Sequence, residues 1–197
     1  MILKNLFTRF YKKKKNNFFA DQTSSIRNQA EIFNFSKSRD NIKIGKETVI
    51  RGKLIVFGHS GKIEIGDECI INHNVEIWSA KNIKIGNRVM IAHNTNIIDT
   101  DGHPIDSKNR YKHFKQIKEK GFIDDKEDEI LKNIRSSEII IEDDVWIGIG
   151  AYIQRGVTIG KESIVAPLSY VVQDVPPYSV VSGNPAKLIR TKPQNKK

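Results

Sequence analysis

Residues 99–105 read Asp99-Thr100-Asp101-Gly102-His103-Pro104-Ile105 and place one imidazole in a turn-forming context. Histidine changes charge near neutral pH and can take a proton from a hydroxyl, and Gly102 and Pro104 on either side of His103 fix its backbone in a turn. Such a base works best with its ring oriented by a carboxylate. Asp99, Asp101 and Glu138 are the candidates, and the sequence does not choose among them. One histidine in a loop is weak ground for chemistry, so the elements that hold it carry the argument.

Those elements show as a six-residue period. All fifteen positions of the series 44, 50, 56; 65, 71, 77; 85, 91, 97; 141, 147, 153; 159, 165, 171 are Ile or Val. Four residues after each, the side chain is mostly small or branched, as at Thr48, Cys69, Val89, Thr95, Ala151, Ser163 and Ser169. Neither a 3.6-residue helix nor an alternating strand gives this period, whereas a parallel β-helix of hexapeptide repeats does. Three hexads make one triangular turn of 18 residues, contiguous from 141 and from 159, with two or three extra corner residues in the coils from 44, 65 and 85. Stacked at about 4.8 Å, five such coils would fill a narrow interior with Ile and Val ladders. Ile26 and Ile32 fit a degenerate first coil that caps the core.

The period breaks over 103–140, a 38-residue excursion that leaves and rejoins the solenoid. Insertions of this length are usually functional or disordered. Its second half is densely charged, and Ile130, Leu131 and Ile134 predict a short helix over 124–135, either as a lid over a site or as a solvated insert. The domain reading is therefore a basic, aromatic extension at 1–25, a β-helix domain at 26–190 and a basic tail at 191–197.

Composition narrows the classes further. The chain of 197 residues has one cysteine, Cys69, at an interior position of its hexad, so no disulfide framework exists and a reducing compartment is expected. No apolar run is long enough for a membrane span, and the expected location is cytoplasmic. The net charge of +10 collects at the two ends. The coils show no stripe of Lys/Arg and aromatics, which argues against nucleic acid as a partner. At the N-terminus Leu3, Leu6, Phe7, Phe10 and Tyr11 fall at helical spacing among lysines. Residues 1–20 could thus lie as an amphipathic helix on an anionic membrane surface at the inner face of the cytoplasmic membrane, or dock on the protein itself.

Further motifs lie along the repeat: Ile71-Asn72-His73-Asn74, Ile85-Gly86-Asn87-Arg88-Val89-Met90-Ile91-Ala92, Gly102-His103-Pro104, Val145-Trp146-Ile147-Gly148, and Asp174-Val175-Pro176-Pro177 through Gly183-Asn184-Pro185-Ala186-Lys187-Leu188-Ile189-Arg190. Through them residues 65–190 resemble the sugar O-acetyltransferases of the hexapeptide-repeat superfamily, which include galactoside, maltose, capsule and lipopolysaccharide enzymes. The resemblance implies an all-β solenoid, specifically a left-handed parallel β-helix, and a homotrimer with active sites between subunits. It implies acetyl-CoA as donor, a carbohydrate hydroxyl as acceptor and no metal. By the family pattern His103 is the catalytic base and Asn74 the sugar-binding asparagine.

Trp146 is expected to line the acceptor pocket or to offer its indole N–H to the oxyanion, unless it is a structural corner residue, and Asp101 to touch the acceptor. Ala92, Ala151 and Ala166 are small enough to admit the pantetheine arm between turns, and Lys187 and Arg190 match basic positions that would pair with the ADP phosphates. One departure is Val172-Gln173, where relatives often carry Thr-Lys. The basic lead-in also stands in place of the N-terminal helical segment of the galactoside and maltose enzymes, which argues against their small free sugars as acceptors. A lipid-linked or polymeric glycan precursor, as of capsule or O-antigen, and a soluble nucleotide sugar are equally compatible with the sequence.

A second reaction class uses the same solenoid. His73 and His93 take the same place in consecutive coils and could belong to a zinc-dependent, carbonic-anhydrase-like site, but zinc needs three protein ligands and the spacing supplies two.

Overall fold

The computed structural model describes residues 17–36, 38–58, 60–120 and 129–191. The proposed amphipathic helix up to residue 16 and the tail from 192 lie outside the described residues.

The described residues wind through six three-sided coils. Their strands are β1 (Phe19–Ala20), β2 (Ser25–Ile26) and β3 (Glu31–Asn34); β4 (Ile42–Ile44), β5 (Val49–Ile50) and β6 (Lys53–Val56); β7 (Ile63–Ile65), β8 (Ile70–Ile71) and β9 (Glu76–Ser79); β10 (Ile83–Ile85), β11 (Met90–Ile91) and β12 (Asn96–Ile98); β13 (Ile139–Ile141), β14 (Trp146–Ile147) and β15 (Tyr152–Gln154); and β16 (Thr158–Ile159), β17 (Ile164–Val165) and β18 (Tyr170–Val171). Each coil gives one strand to each of three sheets, and neighbours within a sheet pair in parallel. The second sheet ends in β19 (Ser179–Gly183) and an antiparallel β20 (Ala186–Thr191).

All fifteen Ile and Val positions of the repeat are buried, at 4 % exposure or less, and they stack in register as Ile65 on Ile85 on Ile141 or Ile71 on Ile91 on Ile147. β-Branched side chains suit this packing because their restricted rotamers lose little on entering a ladder. The small polar residues at the inner corners link coils: Thr48 Oγ1 donates to the Gly66 carbonyl at 2.8 Å, Cys69 Sγ to Gly86 at 3.1 Å and Thr95 Oγ1 to Gly148 at 3.1 Å. Burial pushes the Cys69 thiol up, so it serves as a packed interior group rather than a nucleophile.

The β-helix begins at Phe19, earlier than the expected boundary at 26, because β1 already pairs with β4. The insert also differs from expectation. Among the described residues it holds a helix α1 (Ser107–Lys120), and the described part of 124–135, residues 129–135, contains a short 3₁₀ turn at Leu131–Asn133. Ile130, Leu131 and Ile134 had suggested a helix, but Leu131 and Ile134 instead pack as individual residues over a cavity. Asp106 caps α1, its Oδ1 accepting from the Asn109 N–H at 2.9 Å.

Candidate active site

The insert leaves the third sheet after β12 and returns along the same corner. The neck is fastened by backbone: the Asp101 N–H donates to the Arg135 carbonyl at 2.9 Å and the Ser137 N–H to the Asp99 carbonyl at 2.9 Å. Asp101 adds a charged clamp. Arg135 Nε and Arg155 Nε each donate to one of its carboxylate oxygens at 2.6 Å. Burial works to raise the Asp101 pKa, but the hydrogen bonds and charges of Arg155 and Arg135 outweigh it and hold the carboxyl below its ordinary value.

One residue past Asp101, at Gly102 with φ of 73°, the chain turns and presents His103 to solvent. Arg110, from the first turns of α1, donates to the Pro104 and Ile105 carbonyls at 3.2 and 2.6 Å and ties the turn to the helix. Beneath lies a cavity of about 480 Å³. Its floor is the outer face of the third sheet, with Trp78, Ile98 and Tyr152; its roof is Ile117 of α1 with Leu131 and Ile134. His103, Asp101, Thr100 and Ser136 line its polar side. Trp78 Nε1 is buried here without a hydrogen-bond partner.

None of the three candidate carboxylates orients His103. Asp99 is buried and accepts from Ser79 Oγ at 2.7 Å and from the Ala80 and Lys81 amides at 2.7 and 3.0 Å, and burial pushes its carboxyl up. Asp101 is committed to its two arginines, and Glu138 accepts from Asn82 Nδ2 and faces Lys84. The group that meets the ring is His113 of α1, 5 % exposed, whose Nδ1 is 3.2 Å from Nδ1 of His103. Sequence reasoning missed it because a histidine ten positions on, in an unforeseen helix, carries no spacing signal.

The other expected site residues fall elsewhere on the single chain. Asn74 sits at the corner between β8 and β9 with φ of 56°, a left-handed conformation that asparagine tolerates better than most residues, and its Nδ2 donates to Asn94 at 3.1 Å. Trp146 stands half-exposed on the outer face of the second sheet beside Met90, away from the cavity. Ala151 faces the coil interior with no exposure on the single chain. Ala92 and Ala166 share an outer corner, but their N–H groups already donate to Ile147 and Val181 at 2.9 Å. Lys187 and Arg190 lie exposed on β20 at the C-terminal end of the solenoid.

The rings of His73 and His93 stack at 5.6 Å with an interplanar angle of 8°, face to face rather than converging on a point. Among the described residues no group of three or more His, Cys, Asp or Glu side chains is placed to hold a metal ion, so the third ligand that the zinc reading needs is not supplied there.

A solenoid of three parallel sheets, built from six-residue repeats and interrupted by one anchored insert, defines a class of hexapeptide β-helix. Residues 138–173 match the family described as bacterial transferase hexapeptide (six repeats). The galactoside O-acetyltransferase of Escherichia coli (strain K12) is 32 % identical over 138 residues, covering 69 % of this chain and 57 % of that protein. A hexapeptide-repeat-containing acetyltransferase from Vibrio cholerae superposes with a TM-score of 0.59 at 27 % identity, covering 90 % of this chain and 75 % of that one. Its form complexed with acetyl coenzyme A gives 0.51 at 26 % identity, covering 90 % and 72 %. In fold alone, an N-acyltransferase from Bacillus cereus superposes with a TM-score of 0.69 at 18 % identity, covering 97 % and 89 %. The chain carries the hexapeptide repeat of that family model and is similar in sequence and fold to hexapeptide-repeat acetyltransferases. It spans 44 to 57 % of the length of the first curated relatives that it matches along most of its own.

Proposed function

We propose that the protein transfers an acetyl group from acetyl-CoA to a hydroxyl of a sugar, with His103 as general base. The observation that carries this reading is His103 itself: an exposed imidazole on a clamped turn at the mouth of a 480 Å³ cavity, on a chain similar to sugar acetyltransferases. The cavity has the size and the mostly apolar lining, with a few converging polar groups, that ligand sites favour. An acceptor lying there would set one sugar face against Trp78 and Tyr152, and the unpartnered Trp78 Nε1–H would meet a ring oxygen or hydroxyl.

The reaction balances simply. His103 takes the hydroxyl proton as the oxygen attacks the thioester carbonyl; collapse of the tetrahedral intermediate breaks the C–S bond, and the proton returns to the departing CoA sulfur. Lys187 and Arg190 are the residues we assign to the ADP phosphates. His103 with its cavity and Asn74 with Trp146 occupy different faces of one chain. A homotrimer with sites between subunits, also proposed here, would let both faces meet the same pair of substrates. The acceptor we favour is a glycan or glycan precursor of the capsule or lipopolysaccharide kind, modified in the cytoplasm.

The test is His103→Ala, assayed by release of free CoA thiol in a panel of candidate glycans. Loss of a general base costs about 10²- to 10⁴-fold, falling mainly on kcat. The affinity for acetyl-CoA and the melting temperature should stay close to wild type, since His103 is outside the Ile/Val core. A variant that keeps most of its activity at saturating substrates would refute the mechanism.

A further inference from the structure

The following rests on the acetyl-transfer reading and extends it: we infer that His113 is the positioning residue of His103, holding the base in the tautomer that accepts a proton at Nε2. The geometry is a Nδ1 to Nδ1 contact of 3.2 Å between rings whose centroids are 5.1 Å apart and tilted by 58°. Two neutral imidazoles at this distance share one proton, so one Nδ1 carries it and the other offers a lone pair.

Only one of the two arrangements suits a base. His103 directs Nδ1 at His113, which leaves Nε2 for the acceptor hydroxyl. Nε2 has a free lone pair only when the ring proton is on Nδ1. His103 then donates to His113, and the proton of His113 lies on its own Nε2. When His103 takes up the substrate proton it becomes an imidazolium with N–H at both positions. The bond to His113 survives and becomes charge-assisted, which makes it stronger at the moment the transition state needs it. The reverse arrangement would put the His103 proton on Nε2 and remove the base.

The fold supports this role. His113 is buried while His103 is exposed, so the accepting ring is the fixed partner and the base the one facing substrate. The carboxylates that could have served instead, Asp99, Asp101 and Glu138, are each engaged with other groups. Arg110 holds the backbone of the His103 turn to the same helix that carries His113, so the two rings move as one unit.

The experiment reads tautomers directly. The full chain is labelled with ¹⁵N-histidine, and long-range ¹H–¹⁵N spectra are recorded where the rings are neutral, with His103→Gln assigning the signal. His103 should show Nδ1 protonated and Nε2 free, and His113 the opposite. In His113→Phe the His103 ring should revert to the Nε2–H form that free imidazole side chains favour. In that variant kcat should fall about 10²-fold, inside the about 10⁴-fold lost when a triad's orienting carboxylate is replaced, with KM for both substrates within about threefold.

His113→Asn, whose Oδ1 can accept the same bond, should restore the tautomer and most of kcat. Wild-type His103 found as Nε2–H would overturn the inference, as would equal loss of kcat in the Phe and Asn variants with the His103 spectrum unchanged. Since the spectra need no turnover, the expected tautomers in a chain that transfers no acetyl group would refute the transfer reading and leave the pairing intact.

Discussion

The clamp at the neck of the insert gives a prediction with a number. In Asp101→Asn one neutral amide replaces a carboxylate that accepts from two guanidinium groups at 2.6 Å. Hydrogen bonds to charged groups contribute about 1.5–3 kcal/mol each, while exposed ion pairs contribute about 0–1 kcal/mol. Arg155 and Asp101 are both 19 % exposed and fall in the first class; Arg135 is 59 % exposed and falls in the second. Asn keeps one acceptor, so the expected local loss is about 2 kcal/mol, or roughly 30-fold in the opening equilibrium of the insert.

Native-state hydrogen exchange at the Asp101 and Ser137 amides, which bridge the neck, should speed up by about that factor. The amides of Met90 and Ala92 in the neighbouring coil should not change. Because the folded pKa of Asp101 is depressed, the clamp is fully present above the ordinary value of 3.8 and is lost as pH falls through the lower folded value. The difference between wild type and variant should therefore shrink in that acid window. Equal acceleration in neck and coil, or none in the neck, would refute the claim that Asp101 fastens the insert.

Three further outcomes are expected. Lys187→Ala with Arg190→Ala should weaken acetyl-CoA binding more than binding of a short acetyl thioester lacking the ADP; equal loss would point to a folding role for β20. Ile147→Ala, at a fully buried ladder position, should cost about 2–5 kcal/mol in urea unfolding, and a cost near zero would contradict the packing of the interior. Light scattering at micromolar concentration should give three times the 22.5 kDa chain mass, and a monomer would count against shared sites.

The interior was legible in the sequence because every inward position of the repeat must be filled by the same few side chains, and fifteen Ile or Val residues at fixed spacing leave no other periodic solution. His103 was legible from Gly102 and Pro104 around it. The helix carrying His113 was not, and the reason is physical: α1 turns only Ile117 and His113 toward the cavity and leaves its aromatic residues outward. His113 is buried, whereas Tyr111 and Phe114 are 58 % and 57 % exposed. A helix with a single inward aliphatic residue gives no signal to a reading based on apolar periodicity. The cavity floor was hidden for a related reason. Trp78 and Ile98 are outward residues of strands whose inward residues carry the repeat, and only the covering insert makes them interior.

The last strand has a consequence for how copies of the chain meet. A stack of parallel coils is its own template, since the open edge at one end matches the open edge at the other and could add copies without limit. On the second sheet that growth would need β2 of another molecule to pair with β19. The position is already filled by β20, which runs the opposite way, shifts register between Val180 and Val181, and bears Lys187 and Arg190. A reversed, bulged and cationic strand is a poor mould for the parallel strand of a newcomer. The hairpin thus acts as a chain terminator for a would-be fibre on this sheet.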